Sequence, residues 1–70
     1  MPWARIEDLP DAVRAHLPEH AQEIFLAAFN HAWAAHAGET QREETAFRIA
    51  WGAVKRGYRK AGDSWVRIDE

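Results

Sequence analysis

Ala21, Ile24, Phe25, Ala28, Phe29, Ala32 and Trp33 recur at spacings of three and four residues. That period places all seven along one side of an α-helix, and such a helix must bury that side against something. A second stripe answers it, because Ala46, Phe47, Ala50, Trp51, Val54 and Tyr58 keep the same period. The alanines let two helices approach while the rings fill the remaining volume. Only a short link separates the stripes, which predicts an antiparallel helix pair. The spacing predicts one helix over 19–37, stopped by Gly38 in the left-handed conformation. It predicts the next from Thr40, with Thr40-Gln41-Arg42-Glu43 as a capping box, to a stop at Gly62-Asp63.

Two Leu-Pro steps divide what precedes. Asp8-Leu9-Pro10-Asp11 reads as a helix start, with Asp8 as the cap and Pro10 in the first turn, where its missing N–H costs nothing. Leu9, Val13 and Leu17 supply a narrow apolar stripe, and Pro18 ends this helix and opens the following one. The two ends of the chain look alike. The segments 3–6 (WARI) and 65–68 (WVRI) both alternate and carry a tryptophan. We expect them to pair, in an orientation the residues leave open. The fold class is therefore mainly α: a three-helix domain closed by a small two-stranded β-sheet formed by the chain termini.

Seventy residues make one domain, spanning 1–70, with a marginal ratio of core to surface. With no cysteine, neither a disulfide nor a thiolate is available, so four tryptophans, three phenylalanines and Tyr58 must supply the core. The opening residues carry acids and no apolar run, unlike a signal peptide. The most apolar region, 24–37, is broken by Asn30, His31 and His36 and is too short for a transmembrane segment. These readings point to a cytoplasmic protein.

The supply of chemistry is thin. Ser64 is the only serine, and the four glycines are scattered rather than gathered into a phosphate loop. His16 and His20 have a metal-ligand spacing, but Pro18 interrupts the face they would share. Glu39, Glu43 and Glu44 read as caps and dipole partners rather than cation ligands. We therefore expect no enzyme, no cofactor, no metal and no small-molecule substrate.

Charge is the sharper signal. Residues 1–40 hold two basic and six acidic side chains, whereas from Arg48 to Lys60 there are five basic residues and no acid. Arg48, Lys55 and Arg59 fall on one side of the third helix, opposite the aromatic stripe, with Arg56 and Lys60 beside them, and are candidates for binding nucleic-acid phosphate, anionic lipid or an acidic protein patch. The competing reading is a solvated face whose cations suit the negative end of the helix, and the net charge of −2 opposes a stand-alone DNA binder.

The chain also resembles a known family. Leu9-Pro10, Leu17-Pro18-Glu19-His20-Ala21, Ile24 and Ala28-Phe29-Asn30-His31-Ala32-Trp33 carry its pattern. So do Arg42-Glu43-Glu44-Thr45-Ala46, Ala50-Trp51, Val54-Lys55, Tyr58 and Trp65. Over nearly its whole length the sequence resembles the ChaB family. The resemblance implies a three-helix domain with a small sheet. It also implies a cytosolic, non-catalytic regulator of cation transport with a protein partner, a membrane sodium or calcium/proton antiporter. Related viral sequences are linked to DNA binding, which keeps the nucleic-acid reading as the alternative. The motif residues carried over are Pro10, Pro18, Phe29, Asn30, Trp33, Glu43, Trp51, Tyr58 and Trp65. Some members have a long charged loop between the second and third helices, where divalent cations could bind, and here that link is only about 38–41.

Asn30 stands apart. On a helical wheel it falls roughly 150° from the centre of the buried stripe. We expect its side chain to bond a backbone group of a neighbouring segment, near Leu9-Pro10 or the C-terminal end. A contact surface would then combine Asn30, the acids of the second helix and the ends near Trp3 and Trp65.

Overall fold

The structure, a computed structural model, describes residues 3–68. A 3₁₀ turn over Ile6–Asp8 leads into helices α1 (Asp11–His16), α2 (Glu19–Ala35) and α3 (Arg42–Lys55). Strands β1 (Tyr58–Ala61) and β2 (Ser64–Arg67) follow as an antiparallel hairpin. Three helices and a two-stranded sheet are as expected. The pairing of the sheet differs.

The two Leu-Pro steps act through the residue before each proline, which the pyrrolidine ring drives into extended backbone. Leu9 has φ −65° and ψ 153°, and Leu17 has φ −110° and ψ 136°. No helix can run through either. Asp8 therefore lies in the 3₁₀ turn, and Pro10 rather than Asp8 holds the cap position of α1. Pro18 holds the same position in α2. Gln22 spans the second break, its Nε2 donating to the carbonyls of Leu17 at 2.8 Å and Arg14 at 3.3 Å. Those carbonyls belong to the end of α1, where no helical N–H reaches them.

The helix pair α2–α3 runs antiparallel, and the rings show its register. Phe29 meets Phe47 with centroids 4.9 Å apart, Phe25 meets Trp51 at 5.0 Å, and His20 meets Tyr58 at 6.5 Å. Ala21, Phe25, Phe29 and Ala32 of α2 are buried against Ala46, Ala50 and Val54 of α3, and Leu9, Val13 and Leu17 close one side.

At the link between them the expected caps do not form. The helix α2 ends at Ala35, where a turn closes from the Glu39 N–H to the His36 carbonyl and the His36 ring meets the Glu39 carboxylate. Gly38 thus sits past the capping position and has no left-handed φ. Helix α3 starts one residue late for the capping box. Gln41 is its N-cap and no side chain caps it, so Thr40 and Glu43 are out of register. Arg42 sets that register: its Nε donates to the Trp33 carbonyl at 2.7 Å, and its guanidinium lies 3.9 Å from the centre of the Trp33 ring. One group thus satisfies an orphan carbonyl of α2 and stacks on the indole, a combination that needs a planar guanidinium. Arg42→Lys is expected to cost about 1 kcal/mol, lowering the melting temperature by roughly 4–8 °C; a melt unchanged within about 1 °C would show that the stack contributes nothing.

Helix α3 ends at Lys55, well before Gly62. Tyr58 is buried, but as the first residue of β1 rather than the last turn of a helix. The reason lies in the Gly62-Asp63 pair, which forms a two-residue hairpin loop between partners Ala61 and Ser64. Gly62 has φ +64° and Asp63 a negative φ, the signs of a type II′ turn that suits the twist of paired strands. The expected partner of 65–68 was the segment 3–6, and this is corrected. Both strands come from the C-terminal part of the chain, and a two-residue loop costs far less closure entropy than joining the ends. Residues 3–6 form no strand.

Candidate functional site: an aromatic and basic cleft

The hairpin folds back beside α3, and the end of α1 faces it. Between them lies a cleft of about 350 Å³ lined by Ala12, His16, Trp51, Lys55, Lys60, Asp63 and Trp65. Each side chain arrives for a local reason. Trp51 and Lys55 are four apart on α3 and so share a side. Lys60 and Trp65 are direct partners in the hairpin, which puts them on one face of the ribbon. That face also carries Tyr58, two residues before Lys60, so it is the face turned to the helices. The indoles of Trp51 and Trp65 lie 5.7 Å apart with planes tilted by 32°, both half-buried.

His16 closes one end. Its Nδ1 lies 3.0 Å from the backbone carbonyl of Asp63. A carbonyl only accepts, so Nδ1 carries the proton and donates. This bond ties α1 to the hairpin loop. Lys55 and Lys60 are exposed, and among the described residues neither takes part in an ion pair. The cleft therefore offers indole surface, two ammonium groups that form no ion pair among the described residues, and one carboxylate residue, Asp63.

The remaining candidates are dispersed. Arg48 and Lys55, seven apart, share the solvent side of α3. Arg56 follows the helix and lines a separate apolar groove with Ile24, Ala28, His31 and Ile49. Arg59 pairs with Val66 on the hairpin face opposite Tyr58. Arg59 and Lys60 lie on β1 rather than on the third helix, so the basic side chains do not form one helical stripe. Pro10 and Pro18 occupy the N-cap positions of α1 and α2, Phe29 is core, and Glu43 is exposed in the first turn of α3. Ser64 is exposed and is not hydrogen-bonded to an imidazole. His20 pairs with Glu23, so it and His16 do not converge.

Asn30 is a clamp. Its Nδ2 donates to the Trp3 carbonyl at 2.8 Å, and its Oδ1 accepts from the Trp3 N–H at 3.1 Å. A backbone segment is bonded as expected, but at Trp3 rather than at Leu9-Pro10 or the C-terminal end. The Trp3 ring then lies 4.2 Å from that of Phe29. Asn30 and Trp3 serve each other, which leaves Trp65 as the end tryptophan that faces a cleft.

Sequence reading singled out Trp51, Trp65 and Lys55 but missed His16 and Asp63 as their neighbours. The available signal was the Gly-Asp loop, which places Lys60 opposite Trp65 once it is read as a hairpin.

The family model for ChaB matches residues 9–67. A protein of Escherichia coli strain K12 named "Putative cation transport regulator ChaB" is 44% identical over 69 residues, covering 90% of this chain and 91% of its own. A protein of Shigella flexneri with the same name matches equally. A solution NMR structure of a protein of that name superposes with a TM-score of 0.82 at 42% identity, covering 94% of this chain and 97% of the other. The chain belongs to the ChaB family.

Proposed function

We propose that this protein is a small non-catalytic regulator of cation transport that works by contact with another protein, a sodium or calcium/proton antiporter, from the cytoplasmic side. The observation that carries this is near-full-length kinship to proteins named as cation transport regulators. Among the described residues no helix is long and apolar enough to cross a membrane, so the contact would use a surface such as the cleft. The direct test adds purified protein to everted membrane vesicles and follows sodium/proton and calcium/proton exchange with a pH-sensitive dye. A change of about fivefold or more in one exchange rate is expected, the low end of ordinary coupling between sites. Equal rates with and without a saturating excess of protein overturn the proposal.

The alternative is nucleic-acid binding through Arg48, Lys55, Arg56 and Arg59. All four are exposed and none has an ion pair among the described residues. Its signature is duplex binding that weakens steeply with salt and disappears in Lys55→Glu plus Arg59→Glu.

A further inference from the structure

We infer that the cleft between α1, α3 and the hairpin takes an acidic peptide segment of a protein partner, with one apolar or aromatic side chain seated against Trp51 and Trp65 and carboxylates meeting Lys55 and Lys60. The inference rests on the reading that the protein acts through protein contact.

Size comes first. A cleft of about 350 Å³ is at the small end of ligand sites and accepts a large side chain rather than a flat macromolecular face. Half-buried indoles at 5.7 Å give such a side chain rigid apolar surface, and tryptophan is the residue type most often found to anchor interfaces. Ala12, the small residue of the α1 wall, leaves the space open.

Charge then selects the partner. Lys55 and Lys60 form no ion pair among the described residues, so among those residues an incoming carboxylate displaces no internal pair. Two further features moderate the positive field. Asp63 is part of the lining, and the cleft sits at the C-terminal end of α3, where the helix dipole is negative. Isolated carboxylates beside an apolar group suit that balance better than a doubly charged phosphate. No arginine lines the cleft, so Lys55 and Lys60 act there as point charges rather than as forked donors. An acidic peptide is therefore favoured over nucleic acid or a lipid headgroup. His16 is a positioning residue: its bond to the Asp63 carbonyl holds the loop that carries Lys60 and Trp65.

The test uses the full chain labelled with ¹⁵N, in which each indole N–H gives its own resonance. The probe is a short capped peptide of glutamates around one phenylalanine. The Trp51 and Trp65 indole signals are expected to move while those of Trp3 and Trp33 stay. The same peptide with glutamine for glutamate should bind at least about tenfold more weakly, and so should Lys55→Glu plus Lys60→Glu with the parent peptide. Arg14→Glu, half a turn from Ala12 and His16 on α1, should change affinity by less than about twofold. Unmoved Trp51 and Trp65 signals overturn the inference, as does unchanged affinity in the double lysine variant with its Trp3 and Trp33 signals intact. Anionic vesicles or a DNA duplex moving the same two signals at lower concentration than the peptide also overturn it. Loss of peptide binding with an intact effect on vesicle ion exchange removes the cleft inference alone. Intact peptide binding with no effect on exchange removes the transport reading alone.

Discussion

Phe29→Ala is expected to leave the chain without a cooperative thermal transition above 25 °C. Phe29 is fully buried, and its ring touches four others: Trp3 at 4.2 Å, Phe47 at 4.9 Å, Trp33 at 5.9 Å and Phe25 at 6.3 Å between centroids. Truncating a buried phenylalanine to alanine costs about 3–5 kcal/mol, and lost ring pairs add to that. A core of this size rarely supplies more than about 3–5 kcal/mol in total. The loss therefore equals the whole stability. Circular dichroism against temperature reads the result, with Phe29→Leu as the control that keeps most of the volume. That variant should stay folded and melt roughly 5–12 °C below the parent. A Phe29→Ala melt that is cooperative and within about 5 °C of the parent would falsify the placement of this ring at the centre of the core.

The same ring shows why the helical part was legible. Phe25, Phe29, Ala46, Ala50 and Val54 recur with the helical period, and that period is local information. The steric effect of Pro10 and Pro18 on the residue before them is local too. What escaped was decided by partners distant in the chain. Tyr58 is four residues beyond Val54, so it continues the helical stripe equally well as the first inward residue of a strand. Only the pairing of 58–61 with 64–67 separates the two. Helix α3 begins a residue later than its capping signal because Arg42 is held by the Trp33 carbonyl across the interhelical link. The cleft was hidden for the same reason. His16 reaches Asp63 from 47 residues away, and no spacing rule covers that contact. Lys60 reads as one more cation of a basic run until the hairpin sets it opposite Trp65. The off-stripe position of Asn30 did foretell a backbone clamp, but the segment it holds was not legible, because nothing local marks Trp3 as its partner.

Asn30→Ala is expected to cost about 2 kcal/mol, a fall in melting temperature of roughly 8–16 °C for a domain of this size. Two bonds go at once, and they leave a half-buried N–H and C=O of Trp3 without a partner. The Trp3 ring is then held against Phe29 by packing alone, so protection of the Trp3 amide from hydrogen exchange should vanish first. Asn30→Asp separates the bonds from the shape. A carboxylate can still accept from the Trp3 N–H, but at neutral pH it has no proton for the Trp3 carbonyl and sets oxygen against oxygen. It should therefore be at least as destabilising as alanine at pH 7. Protonation restores the missing donor, so folding favours the protonated form. The folded-state pKa of the introduced carboxyl is raised above its unfolded value of about 3.9. The recovered stability is fully present below that value and is lost as pH rises through the folded pKa. The gap between Asn30→Asp and the parent should accordingly narrow at low pH, while the gap for Asn30→Ala stays constant. Parallel pH profiles for the two variants would mean that Asn30 fills space rather than holding the chain, since a contact made only by shape has no reason to respond to a proton.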